Sequence, residues 1–271
     1  MSTANPYRLE RTVVPSAYRI FLTPDLDRAS FSGRVEIDVD VAEETTEITL
    51  NAIELELGAA TLTGGGRARR SREPELDETF ETATFAFDET VPAGPATMEI
   101  AFTGVLNDLL HGFYRSTYVD GDGQSRLIAT TQLQESDARR VFPCFDEPSF
   151  KATFTTTLTV PSHLNAYSNS AVVEDVDLGN GLRTLSFGPT MKMSSYLNAF
   201  IVGPFEETAA AESLGVPVRV VHPIGKGHLA HFALDAAVAS LRFYTDYFAI
   251  PYPSEKLDLV AIPDFAFGAM E

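Results

Sequence analysis

The chain has 271 residues, is 44% hydrophobic, and sets 20 basic against 38 acidic side chains, a formal charge of −18. That apolar share is enough for one large or two medium cores, and the charge argues against a nucleic-acid backbone or an anionic membrane as partner. A single cysteine, Cys144, excludes a disulfide framework and a cysteine zinc site.

Residues 1–20 lack a basic region followed by an apolar stretch, and no run approaches the roughly 18 apolar residues of a membrane span. The expected compartment is the cytoplasm. The first two hundred residues then read as strands, beginning at 18–23. In 31–41, Phe31, Val35, Ile37, Val39 and Val41 fall on one face, while Ser32, Arg34, Glu36, Asp38 and Asp40 fall on the other. A period of two is that of a half-buried antiparallel strand. Residues 53–57 repeat it, and further strands are expected at 47–52, 82–87, 97–103, 154–160, 184–187 and 197–202. Turn signals separate them: Pro24-Asp25, Gly64-Gly65-Gly66, residues 92–95, Asp120-Gly121-Asp122-Gly123 and Gly179-Asn180-Gly181. Many short strands between turns imply a sandwich or saddle of antiparallel sheets. The arginine-rich stretch 64–75 reads as a solvated hairpin loop.

The pattern changes near residue 206. Residues 206–215 form a polar, alanine-rich connector and 216–221 one more strand. A helix follows, in which Phe232, Ala236, Ala239 and Phe243 share one stripe and Leu234, Val238, Leu241, Thr245 and Phe248 the next. It is apolar around much of its girdle. Pro251 ends it, and a strand is expected at 257–262. The fold class is therefore mainly β, with an N-terminal domain over 1–205 and the opening of a mixed α/β domain over 206–271. Domain ends are usually polar and loosely held. The apolar, glycine-containing end at Gly268-Ala269-Met270-Glu271 predicts that more chain follows in a parent protein.

His228 and His231, with Asp235 four residues on, have helical spacing that could ligate a metal. A solvent-facing helix start is the preferred reading. The sequence contains no H-E-x-x-H, the two-histidine zinc motif with its built-in base, no G-x-S-x-G elbow and no phosphate loop. Cys144 lies in Phe142-Pro143-Cys144-Phe145, an apolar setting that suits a packed structural thiol. In the dense segment 131–148, Asp137 with Arg139 or Arg140 reads as a structural ion pair, and Asp146-Glu147-Pro148 as a turn. Gln132 and Gln134 differ from these. Alternate strand residues point to one face, so the two amides can converge on one ligand group.

HGFYRSTY (111–118), TQLQESDARRVFPCFDEPSFKATF (131–154), MSSYLNAFIVGPFE (193–206) and PDFAFGAME (263–271) carry a resemblance. The chain resembles the N-terminal part of a zinc aminopeptidase (a gluzincin) of the aminopeptidase N family, which includes leukotriene hydrolase. The family's G-A-M-E-N motif stands here without its Asn. The resemblance implies a saddle-like β domain followed by the start of a thermolysin-like catalytic domain, and H-E-x-x-H with a third zinc-binding Glu beyond Glu271. It therefore implies no catalytic residue and no metal ligand in this chain, which alone is expected to be inactive and to bind no zinc. In the intact parent it implies metal-assisted hydrolysis.

The substrate-binding elements implied are Gln132 and the Gly268-Ala269-Met270-Glu271 segment, with Glu271 gripping the free α-amino group of a peptide. A carboxylate selects an ammonium, and an anchor at that distance from the scissile bond admits a single residue. The Gly-Ala-Met backbone can pair with an extended peptide, and Gly268 permits close approach. Many members carry a second Glu where this chain has Gln134; leukotriene hydrolase has Gln there. Expected partners are peptides with a free amino terminus and the remainder of the catalytic domain. Two alternatives share the architecture: a non-catalytic scaffold relative, and a lipid epoxide hydrolase of the leukotriene-hydrolase type.

Overall fold

A computed structural model describes residues 7–268. The alternating pattern builds its first sheet. β1 (Val13–Asp25) pairs antiparallel with β2 (Ser30–Val41), and Phe31, Val35, Ile37, Val39 and Val41 are all buried. Next come β3 (Thr45–Asn51), β4 (Leu55–Leu57), the hairpin β5 (Thr61–Gly64) and β6 (Arg67–Arg70), β7 (Glu75–Asp77), β8 (Thr82–Val91) and β9 (Gly94–Val105). β10 (Gly112–Val119) and β11 (Ser125–Gln132) form a second hairpin across the Asp120–Gly123 turn. β12 (Thr153–Pro161), β13 (Asn165–Ser168), β14 (Val172–Asp177), β15 (Leu182–Phe187) and β16 (Phe200–Gly203) complete the larger part.

The large sheet runs β14-β15-β12-β1-β2-β9-β5-β6, with β4 also on β9; a second sheet is β3-β8-β7 and a third β10-β11-β16-β13. The large sheet is mixed rather than purely antiparallel, because β1 and β12 pair parallel from Ala17↔Thr153 to Leu22↔Leu158. The expected strand at 53–57 starts only at Leu55, since Glu54 takes a left-handed φ of 58° that breaks the pleat. The core is largely aromatic: Tyr18 stacks on Phe154 at 4.8 Å, and Phe31 meets Phe113 at 5.4 Å. Packing is tight enough to require a glycine. A Cβ on Gly33 would lie 2.5 Å from two carbons of the Phe102 ring and 2.9 Å from Leu22. Gly33→Ala is expected to destabilise the chain by about 1–3 kcal/mol through overpacking. A urea midpoint equal to wild type would contradict this.

The β10-β11-β16-β13 sheet is covered on both sides. Phe113, Ala129, Leu133, Phe200 and Val202 join the main core, while Tyr118, Ile128, Tyr167 and Ile201 pack with Phe205, Val221, Val260 and Ile262. The latter group belongs to the C-terminal unit: β17 (Phe205–Glu207), β18 (Ala211–Ser213), β19 (Val216–Pro223), α1 (His231–Phe248) and β20 (Leu257–Val260). The expected connector 206–215 thus holds two three-residue strands, too short to show a period. β20 returns parallel to β19 after the helix crossover.

Ala249 ends α1 in the left-handed conformation, two residues before Pro251. Among the helix residues only Leu241 is buried; Phe232, Phe243, Tyr244, Tyr247 and Phe248 are exposed. A charged clamp ties the unit down. Arg219 donates two hydrogen bonds of 2.9 Å to Asp258, and Lys256 Nζ donates to Asp258 at 2.6 Å and to the Ser168 carbonyl at 2.9 Å.

Candidate functional site

Gln132 is the last residue of β11 and is buried. Its register partner is Gly112, followed along the hairpin by Tyr114↔Thr130 and Ser116↔Ile128. Directly opposed residues share a face, so Gln132, Tyr114, Ser116 and Ile128 all point toward the C-terminal unit. Gly112 has a φ of 64°, and a Cβ there would sit 3.1 Å from Arg140 Cβ. Glycine lets Arg140 close over the end of the hairpin.

Gln134 lies beyond the strand. Its backbone N–H donates to Gln132 Oε1 at 2.7 Å, so the Gln132 amide is held by the turn that follows the strand and not by strand alternation with Gln134. Gln134 Oε1 is buried and has no hydrogen-bond partner. A buried carbonyl oxygen without a donor is uncommon and costs about 1–3 kcal/mol. The pair thus holds one unpartnered acceptor, closed to solvent in the empty site, plus the second lone pair of Gln132 Oε1. That arrangement suits a ligand rich in N–H donors.

The chain leaving β20 crosses the same face. Val260 and Ile262 sit in the apolar cluster with Ile128 and Tyr118. Two residues on, Asp264 Oδ2 accepts from Ser116 Oγ at 3.0 Å, and the Asp264 carbonyl accepts from the Tyr114 hydroxyl at 2.8 Å. Burial, and then the Asp264 charge, push the Tyr114 phenol up to about 12 and keep it a donor. The segment thus runs from the rung of Tyr118 through Ser116 to Tyr114, toward that of Gln132. Tyr114 is two strand steps from Gly112, about 7 Å, and the four steps from Asp264 to Gly268 reach at most about 13 Å. Gly268 is exposed, with no atom within 4 Å of a hypothetical Cβ. Ala269, Met270 and Glu271 lie outside the described residues.

The segment 137–147 that follows combines core residues such as Phe142 and Phe145 with a buttress of ion pairs from Asp137, Arg139, Arg140 and Asp146. Arg140 Nε donates to Asp137 at 2.7 Å, as the ion-pair reading expects. Asp146 is not a turn residue in solvent but a buried carboxylate, 4% exposed. It accepts from Arg139 Nε at 3.0 Å and from Ser195 Oγ at 2.5 Å. The turn instead spans Glu147 to Phe150, closed by a 2.9 Å backbone bond. Cys144 is fully buried, and burial raises its thiol far above the usual range, as a packed structural thiol requires.

The histidine candidates do not assemble. His228 lies in the 3-10 turn Gly227–Leu229, His231 opens α1, and both are exposed with Asp235. Among the described residues no group of three His, Cys, Asp or Glu side chains is placed to hold a metal. The residues sequence reasoning missed are Tyr114, Ser116 and Asp264. The Asp120–Gly123 turn between two β-rich runs signals the hairpin, but nothing marks which of its hydroxyls meets Asp264.

Comparison with known proteins gives the same family at both ends. The Peptidase M1 N-terminal domain matches residues 14–197, and the Peptidase family M1 domain matches residues 232–271. Aminopeptidase M1-A of Oryza sativa subsp. japonica is 45% identical over 269 residues, covering 97% of this chain and 30% of the relative. Endoplasmic reticulum aminopeptidase 1 of Homo sapiens is 40% identical over 272 residues, covering 98% of this chain and 29% of the relative. Puromycin-sensitive aminopeptidase of Caenorhabditis elegans is 40% identical over 266 residues, covering 97% and 28%. The chain therefore spans under a third of the length of these relatives. It belongs to peptidase family M1, as its N-terminal domain together with the opening of the M1 domain.

Proposed function

We propose that this chain supplies amino-terminus recognition to a zinc aminopeptidase that removes single residues from peptides. The observation that carries the reading is the unpartnered Gln134 Oε1 two residues after Gln132, at the end of the hairpin whose face is crossed by the chain that leads to Gly268. A peptide ammonium offers three donors to such acceptors. In this reading Glu271 adds the counter-charge, with Ala269 and Met270 lining the approach. When bound by the parent, zinc supplies an activated water and polarises the scissile carbonyl. This chain's residues hold the amino end and fix the register. The sequence has no H-E-x-x-H, so zinc ligands and the general base are assigned to residues it does not contain.

The division at 205/206 also belongs to this proposal. The exposed aromatic side of α1 is the surface that the remainder of the catalytic domain would cover. No helix of the described residues is long and apolar enough to cross a membrane. The proposed compartment is the cytoplasm, where a chain with one buried, unpaired thiol loses nothing.

The test is an assay of the full-length protein and of the 271-residue chain on a panel of aminoacyl fluorogenic amides. Full-length protein should turn over free-amino substrates, ignore their N-acetylated counterparts and lose activity with chelator. The 271-residue chain should be inactive and carry no stoichiometric zinc by elemental analysis. Chelator-insensitive turnover, or equal turnover of acetylated substrates, would overturn the reading.

A further inference from the structure

We propose that Tyr114 and Ser116 are positioning residues for the recognition segment: by holding Asp264, they fix the course of residues 265–268, which lead into it. The inference rests on the amino-terminus reading above. Both hydroxyls are buried, Tyr114 at 0% and Ser116 at 3% exposure, and buried hydroxyls need partners. Both find one in the same residue, one at its carbonyl and one at its carboxylate. Asp264 itself is exposed, as are Pro263, Phe265, Ala266 and Phe267.

The apolar anchoring of this stretch ends at Ile262. From there to Gly268, the hydrogen bonds of Asp264 are what fix the chain to β10 among the described residues. Two bonds to one residue set both its height above the sheet and its rotation. A single contact would leave the following residues free to swing. The geometry also explains why a serine and a tyrosine stand on a face that is otherwise apolar at Tyr118 and Ile128. Ser116 shares its rung with Ile128 at the edge of that cluster, and Tyr114 shares the next with Thr130, one step before Gln132.

The experiment uses full-length protein carrying Tyr114→Phe, Ser116→Ala, Ser116→Thr or Asp264→Ala. Asp264 is exposed, so its variant keeps the test open should a hairpin variant fail to fold. Two readouts are taken. Chymotryptic cleavage after Phe265 and Phe267, located by mass spectrometry, should accelerate about twofold to tenfold for each lost bond. For free-amino substrates KM should rise by a similar factor, with kcat held within about twofold. Ser116→Thr keeps the hydroxyl and should restore both.

Unchanged cleavage in the Phe, Ser116→Ala and Asp264→Ala variants would overturn the proposal. So would a fall in kcat at constant KM, which would leave binding of the amino end untouched. If wild-type full-length protein shows no aminopeptidase turnover, the functional reading fails by itself. The cleavage rates then decide the positioning of the segment on their own.

Discussion

Asp146→Ala is expected to cost about 3–5 kcal/mol of stability, because it removes a buried carboxylate and strips Arg139 and Ser195 of the acceptor they share. The side chain is 1% exposed, and its partner Arg139 is 12% exposed. One carboxylate oxygen accepts from Ser195 Oγ at 2.5 Å; the other accepts from the Arg139 backbone N–H at 3.2 Å and from Nε at 3.0 Å. Its own N–H donates to Asn51 Oδ1 at 3.0 Å, and its carbonyl accepts from Arg139 Nη2 at 3.1 Å. This one residue therefore joins β3, the 3-10 turn Ala138–Arg140 and the turn Ser195–Leu197.

Burial raises the Asp146 pKa, and the Ser195 and Arg139 contacts only partly offset it. The hydrogen-bonding shape of the group thus matters more than its charge. Asp146→Asn keeps an acceptor for Ser195 or Arg139, and Arg139 retains Glu81 at 2.9 Å. It should cost no more than about 1–2 kcal/mol. Urea denaturation at neutral pH separates the two variants. Equal losses for Ala and Asn would mean that charge, not acceptor geometry, holds the buttress together.

Much of the frame was legible where one face of a strand meets solvent. β2 alternates cleanly because its outer side chains are Arg34, Glu36 and Asp38 in a surface ion-pair network. The turn at Asp120–Gly123 marks the hairpin β10–β11, but alternation does not mark its strands. Its sheet is buried on both faces, so hydrophobic and polar positions do not alternate, and Ile128 to Gln132 are all buried. The helix was legible as amphipathic, but its breadth of apolar surface misstates its burial here: Phe232 is 84% exposed. Periodicity reports what a helix can bury and is silent on whether the cover is present.

The candidate site was half legible. Gln132 and Gln134 stand out as neutral amides in a charged stretch, yet the contact between them is made by backbone, which composition does not reveal. Asp264, Tyr114 and Ser116 are separated by some 150 positions and meet only through the packing of the C-terminal unit on the third sheet.

Gln134→Glu in full-length protein is expected to lower KM for free-amino substrates by about tenfold, the value of turning one neutral hydrogen bond to an ammonium into a charge-assisted one. The replacement is nearly isosteric and puts a carboxylate oxygen where the unpartnered Oε1 now lies. Two effects act in the same direction. Burying a charge in that position is unfavourable while the site is empty. A bound ammonium then neutralises it, so the penalty falls on the free enzyme and adds to the preference for the complex.

The gain should also depend on pH. It requires an ionised carboxylate and a protonated α-amine, so it is lost at acid pH as the introduced group protonates, and lost again above about pH 8, where the substrate amine is neutral. The wild-type amide does not titrate and lacks the acid limb. Inhibitors with a free amino terminus should tighten in parallel, while N-acetylated analogues should not. An unchanged KM across that range, together with unchanged inhibition by free-amino analogues, would remove Gln134 from the ammonium site and leave its buried oxygen without a ligand to explain it.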